Sequence, residues 1–221
     1  MVNRFLLFLL LVCAVTCAGC AAQQLASYET SGFLGSYANF EAGAEDQPNL
    51  VYLNPARDLS QYDKVLIDHV VVYFHPESKN RGVDPAQLNE LTQYFHQALV
   101  HALKDGYPIV DTPGEGVLEI RTAITDVEPG SPVKGAATTI IPVGATISII
   151  KKATTGSNMA VGRASMEIEL LDSLTGVRLA AAIDRREGGK KVISGTWTAI
   201  QEAFDYWAHK LRVWLDRERA E

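Results

Sequence analysis

Cysteine is the residue type with the most defined chemistry in this sequence, and all three cysteines lie within the first 20 of its 221 residues. Cys20 ends a short apolar run and directly follows the small residues Ala18 and Gly19. Cleavage before a cysteine in this setting leaves a terminal residue that carries lipid. The sequence therefore predicts a lipoprotein signal peptide over residues 1–19 and lipidation of Cys20, with palmitate among the acyl chains.

The segment that would position Cys20 has the layout of a secretory signal. Arg4 supplies a positive start, and the apolar stretch Phe5–Val12 follows it. This stretch is too short for a transmembrane helix, which needs about 20 apolar residues. Cys17 stands where lipoproteins usually have leucine and is a rival acceptor; ordinary secretion and an uncleaved anchor are open alternatives. Ala21, rather than aspartate, after Cys20 favours the bacterial outer membrane, facing the periplasm, over the inner membrane.

No other residue pattern points to catalysis, a metal or a cofactor. The five histidines lack a metal-binding spacing such as His-Glu-x-x-His, and the sequence has neither a Gly-x-Ser-x-Gly elbow nor a phosphate-binding glycine loop. After Cys20 there is no cysteine for a disulfide or a thiolate metal site. We therefore expect no catalytic residue, no metal and no cofactor. A hydrolase that uses Asp68, His69 and Asp184 is the least favoured alternative.

The charge balance limits the classes of partner. The formal net charge is −6, with 26 acidic and 20 basic residues. Nucleic-acid-binding proteins need a basic surface, so a nucleic-acid partner is not expected. Membrane contact is expected through the lipid on Cys20 rather than through electrostatic attraction.

The apolar patterning after the signal predicts a tether and lead-in over residues 20–55 and a single domain over residues 56–221. Within that domain we expect a central strand at 64–74, a helix from Asp84 to a left-handed cap at Gly106, strands at 107–110, 117–127, 164–170 and 178–185, and a final helix at 196–217. Strands cluster and helices are few, which is typical of the α+β class. We expect a mixed, mostly antiparallel sheet with the two main helices packed on one face.

Alternation along the predicted strands assigns one face of the sheet to solvent. Apolar residues on the inner face alternate with charged residues on the other. The inner residues of the last strand are expected to be Leu179, Ala181 and Ile183. The outer face is expected to be exposed and to carry Glu119, Arg121, Glu167 and Glu169.

An apolar insert at 130–158 does not fit this pattern. Its centre, residues 136–150, has no charged residue. One interpretation is a strand pair or a loop buried against the domain. The other is an exposed element that contacts an envelope protein, a second copy of the chain or lipid. The candidate partner-binding residues are Ile140, Ile141, Val143, Ile147, Ile149 and Ile150.

Several segments together carry a family resemblance. They are Ser31–Leu34 (SGFL), Tyr62–Asp68 (YDKVLID), Asp111–Asp126 (DTPGEGVLEIRTAITD), Asp172–Gly176 (DSLTG), Ala180–Arg185 (AAAIDR) and the helical residues Trp197, Trp207, Ala208 and Leu211. They resemble an uncharacterised family of bacterial lipoproteins, domain of unknown function 3313. The resemblance covers most of the chain after Cys20 and implies an envelope lipoprotein, but it carries over no catalytic residues.

These observations lead to a functional expectation. The chain is expected to be an outer-membrane-anchored periplasmic lipoprotein, acting as a non-enzymatic binding or assembly accessory of the cell envelope. The alternative is an oligomeric secretion or export-channel subunit that assembles through residues 136–150. An envelope hydrolase is less favoured because the sequence lacks a catalytic constellation.

Overall fold

A computed structural model describes residues 30–76, 78, 82–130, 162–187 and 197–220 of the chain. These residues form two helices and one sheet of seven strands. In chain order the elements are β1 (Glu41–Ala42), β2 (Leu50–Leu53), β3 (Lys64–Ile67), β4 (Val71–Val72), α1 (Pro85–Leu103), β5 (Val117–Glu128), β6 (Arg163–Asp172), β7 (Arg178–Glu187) and α2 (Thr198–Ala220).

The sheet is built around three long antiparallel strands. Its order is β1-β2-β7-β6-β5-β3, and β4 also pairs with β5. Strands β5, β6 and β7 form an antiparallel meander, and β2 and β1 extend it beyond β7 with two more antiparallel pairings. Strands β3 and β4 pair in parallel with β5. The predicted α+β class, with a mixed and mostly antiparallel sheet, is confirmed.

Helix α1 begins at the cap that the sequence indicates. The carboxylate of Asp84 accepts a hydrogen bond from the backbone N–H of Ala86 at 2.9 Å, and Pro85 occupies the first turn, where a missing N–H costs nothing. Every fourth residue along the helix is then apolar and buried, which gives one continuous face towards the sheet. The buried residues are Leu91, Phe95, Leu99 and Leu103.

Helix α2 packs beside α1 on the same face of the sheet. The ring of Phe204 stacks on that of Phe95 with centroids 4.4 Å apart, and the ring of Trp207 lies 5.8 Å from Phe95. These side chains share one buried cluster with Ile120 of β5 and Ile168 of β6. The prediction that both helices pack on one face is therefore confirmed.

The predicted central strand over Lys64–Phe74 is wrong in position and in continuity. It is divided into β3 and β4, which lie at the edge of the sheet. Ile67 and Val70 are both buried although they are three positions apart, which breaks the two-residue period of a strand. The chain therefore leaves the ladder between them, and His96 of α1 hydrogen-bonds the freed carbonyl of Asp68 at 3.2 Å.

The predicted left-handed cap at Gly106 is also wrong. Helix α1 ends at Lys104 in a right-handed conformation, and Gly106 has no positive φ. The guanidinium of Arg212 in α2 packs against Gly106, and a Cβ there would displace it. The strand predicted at 107–110 is reduced to one bridge from Ile109 to β3.

Much of the sheet face opposite the helices is covered, so the prediction of an exposed outer face is wrong for Glu167 and Glu169, while Glu119 and Arg121 are half-buried. Residues 31–40, here called the N-terminal strap, lie on it and form a second apolar cluster with Ala181 and Ile183. Beneath the strap, Glu167 is 0% exposed and Glu169 is 3% exposed. The strap and strands β1 and β2 come from the predicted lead-in, so from residue 30 onward this segment is part of the fold.

Candidate functional site

An apolar cleft opens on the helix-bearing face, between α2 and the strands β2, β6 and β7. It encloses about 150 Å³ and reaches inward to Phe95 and Leu99 of α1. Side chains of α2, including Trp207, Leu211 and Trp214, form the opposite wall.

Three consecutive alanines explain why the cleft exists. Ala180, Ala181 and Ala182 of β7 border it, and Ala180 and Ala182 pair with Leu170 and Ile168 of β6. Ala180 and Ala182 pack in the cluster beneath the helices. An alanine side chain ends at Cβ, so the space between β7 and α2 is left open. The larger side chains of the neighbouring strand β6 fill the corresponding space beneath the helices.

A β-bulge sets the direction of these alanines. The register between β6 and β7 shifts at Leu171, and as a result Leu179 and Ala180 both pack in the helix-side core. Ala181 and Ile183 instead belong to the cluster under the N-terminal strap. The three residues predicted to share one inner face are all buried, but they lie on opposite faces of the sheet.

One carboxylate lines the cleft. Asp184 is 8% exposed; its Oδ2 accepts a hydrogen bond from the indole Nε1 of Trp207 at 2.6 Å, and its Oδ1 accepts one from the backbone N–H of Asn49 at 3.0 Å. Burial raises the pKa of Asp184, while these hydrogen bonds and the charge of Arg186 act in the opposite direction. Since both oxygens have donors, the carboxylate is structurally satisfied without a ligand.

The mouth of the cleft combines exposed apolar and basic side chains. Leu53 of β2 and Val213 of α2 border it and are 38% and 50% exposed. Lys210 and Arg217 of α2 also line it. The ammonium of Lys210 lies 3.9 Å from the carboxylate of Asp46, which is a weak, exposed ion pair.

The N-terminal strap is held by a buried carboxylate on the other face. Oε1 of Glu167 accepts a hydrogen bond from the backbone N–H of Ser31 at 2.8 Å, and Oε2 accepts one from the hydroxyl of Tyr37 at 2.7 Å. Burial, followed by the contact with Glu167, raises the pKa of Tyr37 to about 12. These contacts join the strap to the middle of β6.

A second carboxylate and two arginines complete this attachment. Oε1 of Glu169 lies 2.6 Å from Nη1 of Arg121, and Oε2 lies 2.8 Å from Nε of Arg178. Arg178 also donates to the carbonyls of Ser36, at 2.9 Å, and Leu34. The polar atoms here are engaged with one another, which is the pattern of a structural attachment rather than of a ligand site.

The structure does not test the residues that the sequence singles out as sites. Cys20, the predicted lipidation site, lies outside the described residues. So does nearly all of the predicted insert at 130–158, because residues 131–161 are not described; the six predicted partner-binding residues there are Ile140, Ile141, Val143, Ile147, Ile149 and Ile150.

The residues of the alternative hydrolase do not converge. Asp184 lies in β7, whereas Asp68 and His69 follow β3, so two strands stand between them and at about 4.8 Å per strand they are roughly 14 Å apart. The ring of His69 packs 5.2 Å from that of His96, and the carboxylate of Asp68 lies 3.8 Å from Nε of Arg121. No nucleophile and base are brought together by this arrangement.

The parts of the chain that the structure describes contain neither a metal-binding cluster nor a membrane-spanning helix. No three His, Cys, Asp or Glu side chains converge there to hold a metal ion. No helix among these residues is both long enough and apolar enough to cross a membrane.

Sequence reasoning missed the cleft itself. The available signal was the run Ala180–Ala182 in a strand, together with the apolar stripe of the final helix that contains Trp207 and Trp214. Small residues on a strand that faces large residues on a helix indicate unfilled space, but only if the strand and the helix are known to face each other.

Comparison with known proteins gives a family match. A family model described as "Protein of unknown function (DUF3313)" matches residues 29–211. The chain is 26% identical over 180 residues to "Uncharacterized lipoprotein YdcL" of Escherichia coli strain K12, covering 77% of each chain. The protein of the same description from Escherichia coli O157:H7 matches equally well.

Solved structures with a similar course of the chain share little sequence. One is a PelC dodecamer from Paraburkholderia phytofirmans, with a TM-score of 0.39, 14% identity and coverage of 73% of this chain and 94% of that chain. Another is a putative lipoprotein from Caulobacter crescentus, with a TM-score of 0.33, 11% identity and coverage of 74% and 93%.

Proposed function

Because the chain belongs to the family described as "Protein of unknown function (DUF3313)", we propose that it is a lipoprotein of the bacterial cell envelope that binds an apolar molecule in the cleft beneath α2. The anchor is the lipid on Cys20, in the outer membrane, and the folded domain faces the periplasm. The role is that of a non-enzymatic binding or assembly accessory.

The observation that carries this proposal is the cleft. Small-molecule sites are typically concave and mostly apolar, with a few polar groups that fix orientation. This cleft is lined largely by carbon, and the carboxylate of Asp184, which also lines it, is already hydrogen-bonded by Trp207 and Asn49. Leaving Leu53 and Val213 partly exposed costs about 25 cal/mol per Å² of apolar surface, which a bound apolar molecule would recover.

The anchor is tested by replacing its acceptor. Cys20→Ser should abolish the incorporation of labelled palmitate and remove the protein from the outer-membrane fraction, whereas Cys17→Ser should change neither. Density-gradient separation of the membranes, followed by immunoblotting, should place the wild-type protein with the outer membrane. Loss of palmitate labelling in Cys17→Ser instead, or co-migration of the wild-type protein with the inner membrane, would contradict this part of the proposal.

Binding is tested with the fluorescent apolar probe N-phenyl-1-naphthylamine. The full-length protein should enhance probe fluorescence saturably, and Val213→Asp should remove this enhancement by placing a charge at the mouth. Val177→Asp is the matched control, because Val177 is 49% exposed, close to the 50% of Val213, and does not line the cleft. No saturable binding, or equal loss in both variants, would refute binding in the cleft.

A further inference from the structure

We infer that the occupant of the cleft is a single hydrocarbon chain with an anionic headgroup, as in a fatty acid or a lysophospholipid. The hydrocarbon lies in the cleft, and the headgroup lies at its mouth beside Lys210 and Arg217. This inference rests on the proposed function, in which the cleft binds an apolar molecule, and adds the chemical class of that molecule.

The volume of the cleft favours a single chain. It encloses about 150 Å³, and an apolar cavity of about that volume accommodates a molecule of the size of benzene. Roughly six carbon atoms of a ligand therefore fit inside, and the remainder must continue outward past Leu53 and Val213. A slender chain can meet this requirement, whereas a folded peptide is too large.

The inner end of the cleft sets the direction of the chain. Phe95 and Leu99, both 0% exposed, lie there and offer no donor to an anion. The carboxylate of Asp184, which also lines the cleft, already receives the indole N–H of Trp207 and the backbone N–H of Asn49 and would repel a second anion. The hydrocarbon tail therefore points inward and the anionic group points towards solvent.

The mouth supplies the complementary charge. Lys210 and Arg217 are seven residues apart on α2, which is about two helical turns, so both lie on the side that borders the cleft. Their contacts within the protein are long, 3.9 Å from Lys210 to Asp46 and 3.8 Å from Arg217 to Glu218. Such partly exposed pairs contribute little, and an anionic headgroup can exchange for them.

Two tryptophans make the inference measurable. Trp207 and Trp214 line the cleft, while Trp197 does not. Bromine atoms quench indole fluorescence on contact. With the full-length protein in phosphatidylcholine vesicles, dibromostearate should therefore quench the emission saturably, and unbrominated stearate should reverse the quenching. Dibromostearoyl-lysophosphatidylglycerol is titrated in parallel. Tighter binding of dibromostearate would identify the ligand as a fatty acid, and tighter binding of the lysolipid would identify it as a lysophospholipid.

The headgroup is tested by charge. Lys210→Gln combined with Arg217→Gln should raise the half-saturating concentration by about two- to thirtyfold, because each partly exposed charge pair contributes about 0.2–1 kcal/mol. The matched control is Lys64→Gln combined with Lys104→Gln, which removes the same charge away from the cleft. Dodecyltrimethylammonium, a chain with a cationic headgroup, should displace dibromostearate poorly.

Failure of this inference is distinguishable from failure of the proposed function. The inference is overturned if N-phenyl-1-naphthylamine binds but dibromostearate does not quench tryptophan fluorescence, or if the cationic chain competes as well as stearate. Either result would leave the proposal of an apolar binding site intact. Equal binding by the Lys210/Arg217 variant and its control also overturns the inference. If neither probe binds, both proposals fail.

Discussion

Removing one hydroxyl from the N-terminal strap should loosen its attachment to the sheet. In Tyr37→Phe, Oε2 of Glu167 loses the donor that lies 2.7 Å away, whereas Oε1 keeps the backbone N–H of Ser31. Glu167 is 0% exposed, so water cannot replace the lost donor unless the strap opens. The variant therefore leaves a buried carboxylate with an unsatisfied oxygen.

The expected size of this effect follows from the charge of the acceptor. A hydrogen bond to a charged group contributes about 1.5–3 kcal/mol, and we expect Tyr37→Phe to lower the free energy of unfolding by about 2 kcal/mol. For a domain of this size, that loss corresponds to a decrease of roughly 4–8 °C in the melting temperature.

The assay is urea and thermal unfolding followed by tryptophan fluorescence. Tyr52→Phe is the matched control, because Tyr52 also contacts Phe40 in the second cluster but its hydroxyl has no hydrogen bond to the described residues. The control should change stability by less than about 0.5 kcal/mol. Equal stability of the two variants would refute the conclusion that Glu167 holds the strap through Tyr37.

Three further variants or conditions test the packing and the electrostatics. Gly43→Ala should strongly destabilise the β1–β2 edge, because a Cβ there meets a backbone carbonyl, whereas Gly82→Ala, with open space around it, should be nearly neutral in thermal unfolding. Gly106→Ala should cost about 1 kcal/mol by displacing Arg212, and a double-mutant cycle should show that Arg212→Ala removes this cost. In the unfolded chain Tyr37 ionises near pH 10.0, whereas in the folded protein its pKa is about 12. The free energy of unfolding should therefore fall between pH 10 and 12, and this fall should be smaller in Tyr37→Phe.

The elements with strong local signals could be predicted from the sequence. The cap at Asp84, the four-residue spacing of Leu91, Phe95 and Leu99, and the two-residue period of β5 and β6 all depend on neighbours within a few positions. Each pattern has one face that must be buried. The α+β class and the placement of both helices on one face followed from these patterns.

The errors occur where distant residues decide the outcome. Glu167 has the sequence pattern of a solvent-facing strand residue, but its partner Tyr37 is 130 positions away. Gly106 has the sequence pattern of a helix cap, but its φ is not positive, and the guanidinium of the distant Arg212 packs against it. Contacts of this kind leave no periodic trace in either segment.

The cleft also depends on a long-range arrangement. Alternation along β7 predicts Ala181 as an inner residue, whereas in the fold β7 lies beneath α2 and the bulge turns Ala180 and Ala182 towards the helix. Neither the register shift nor the approach of Trp214 can be derived from local patterning. The sequence could therefore predict the strand and the helix, but not the space between them.

The most direct test of the central claim, that the cleft binds an apolar molecule, is photolabelling in intact cells. Cells that produce the full-length protein receive a diazirine derivative of stearate, and labelled peptides are mapped by mass spectrometry after irradiation. If the cleft binds stearate, labels should appear on β2 and α2, around Leu53 and Val213. These labels should disappear in Val213→Asp and persist in Val177→Asp. Absence of labelling there, or labelling that is unchanged by Val213→Asp, would contradict it.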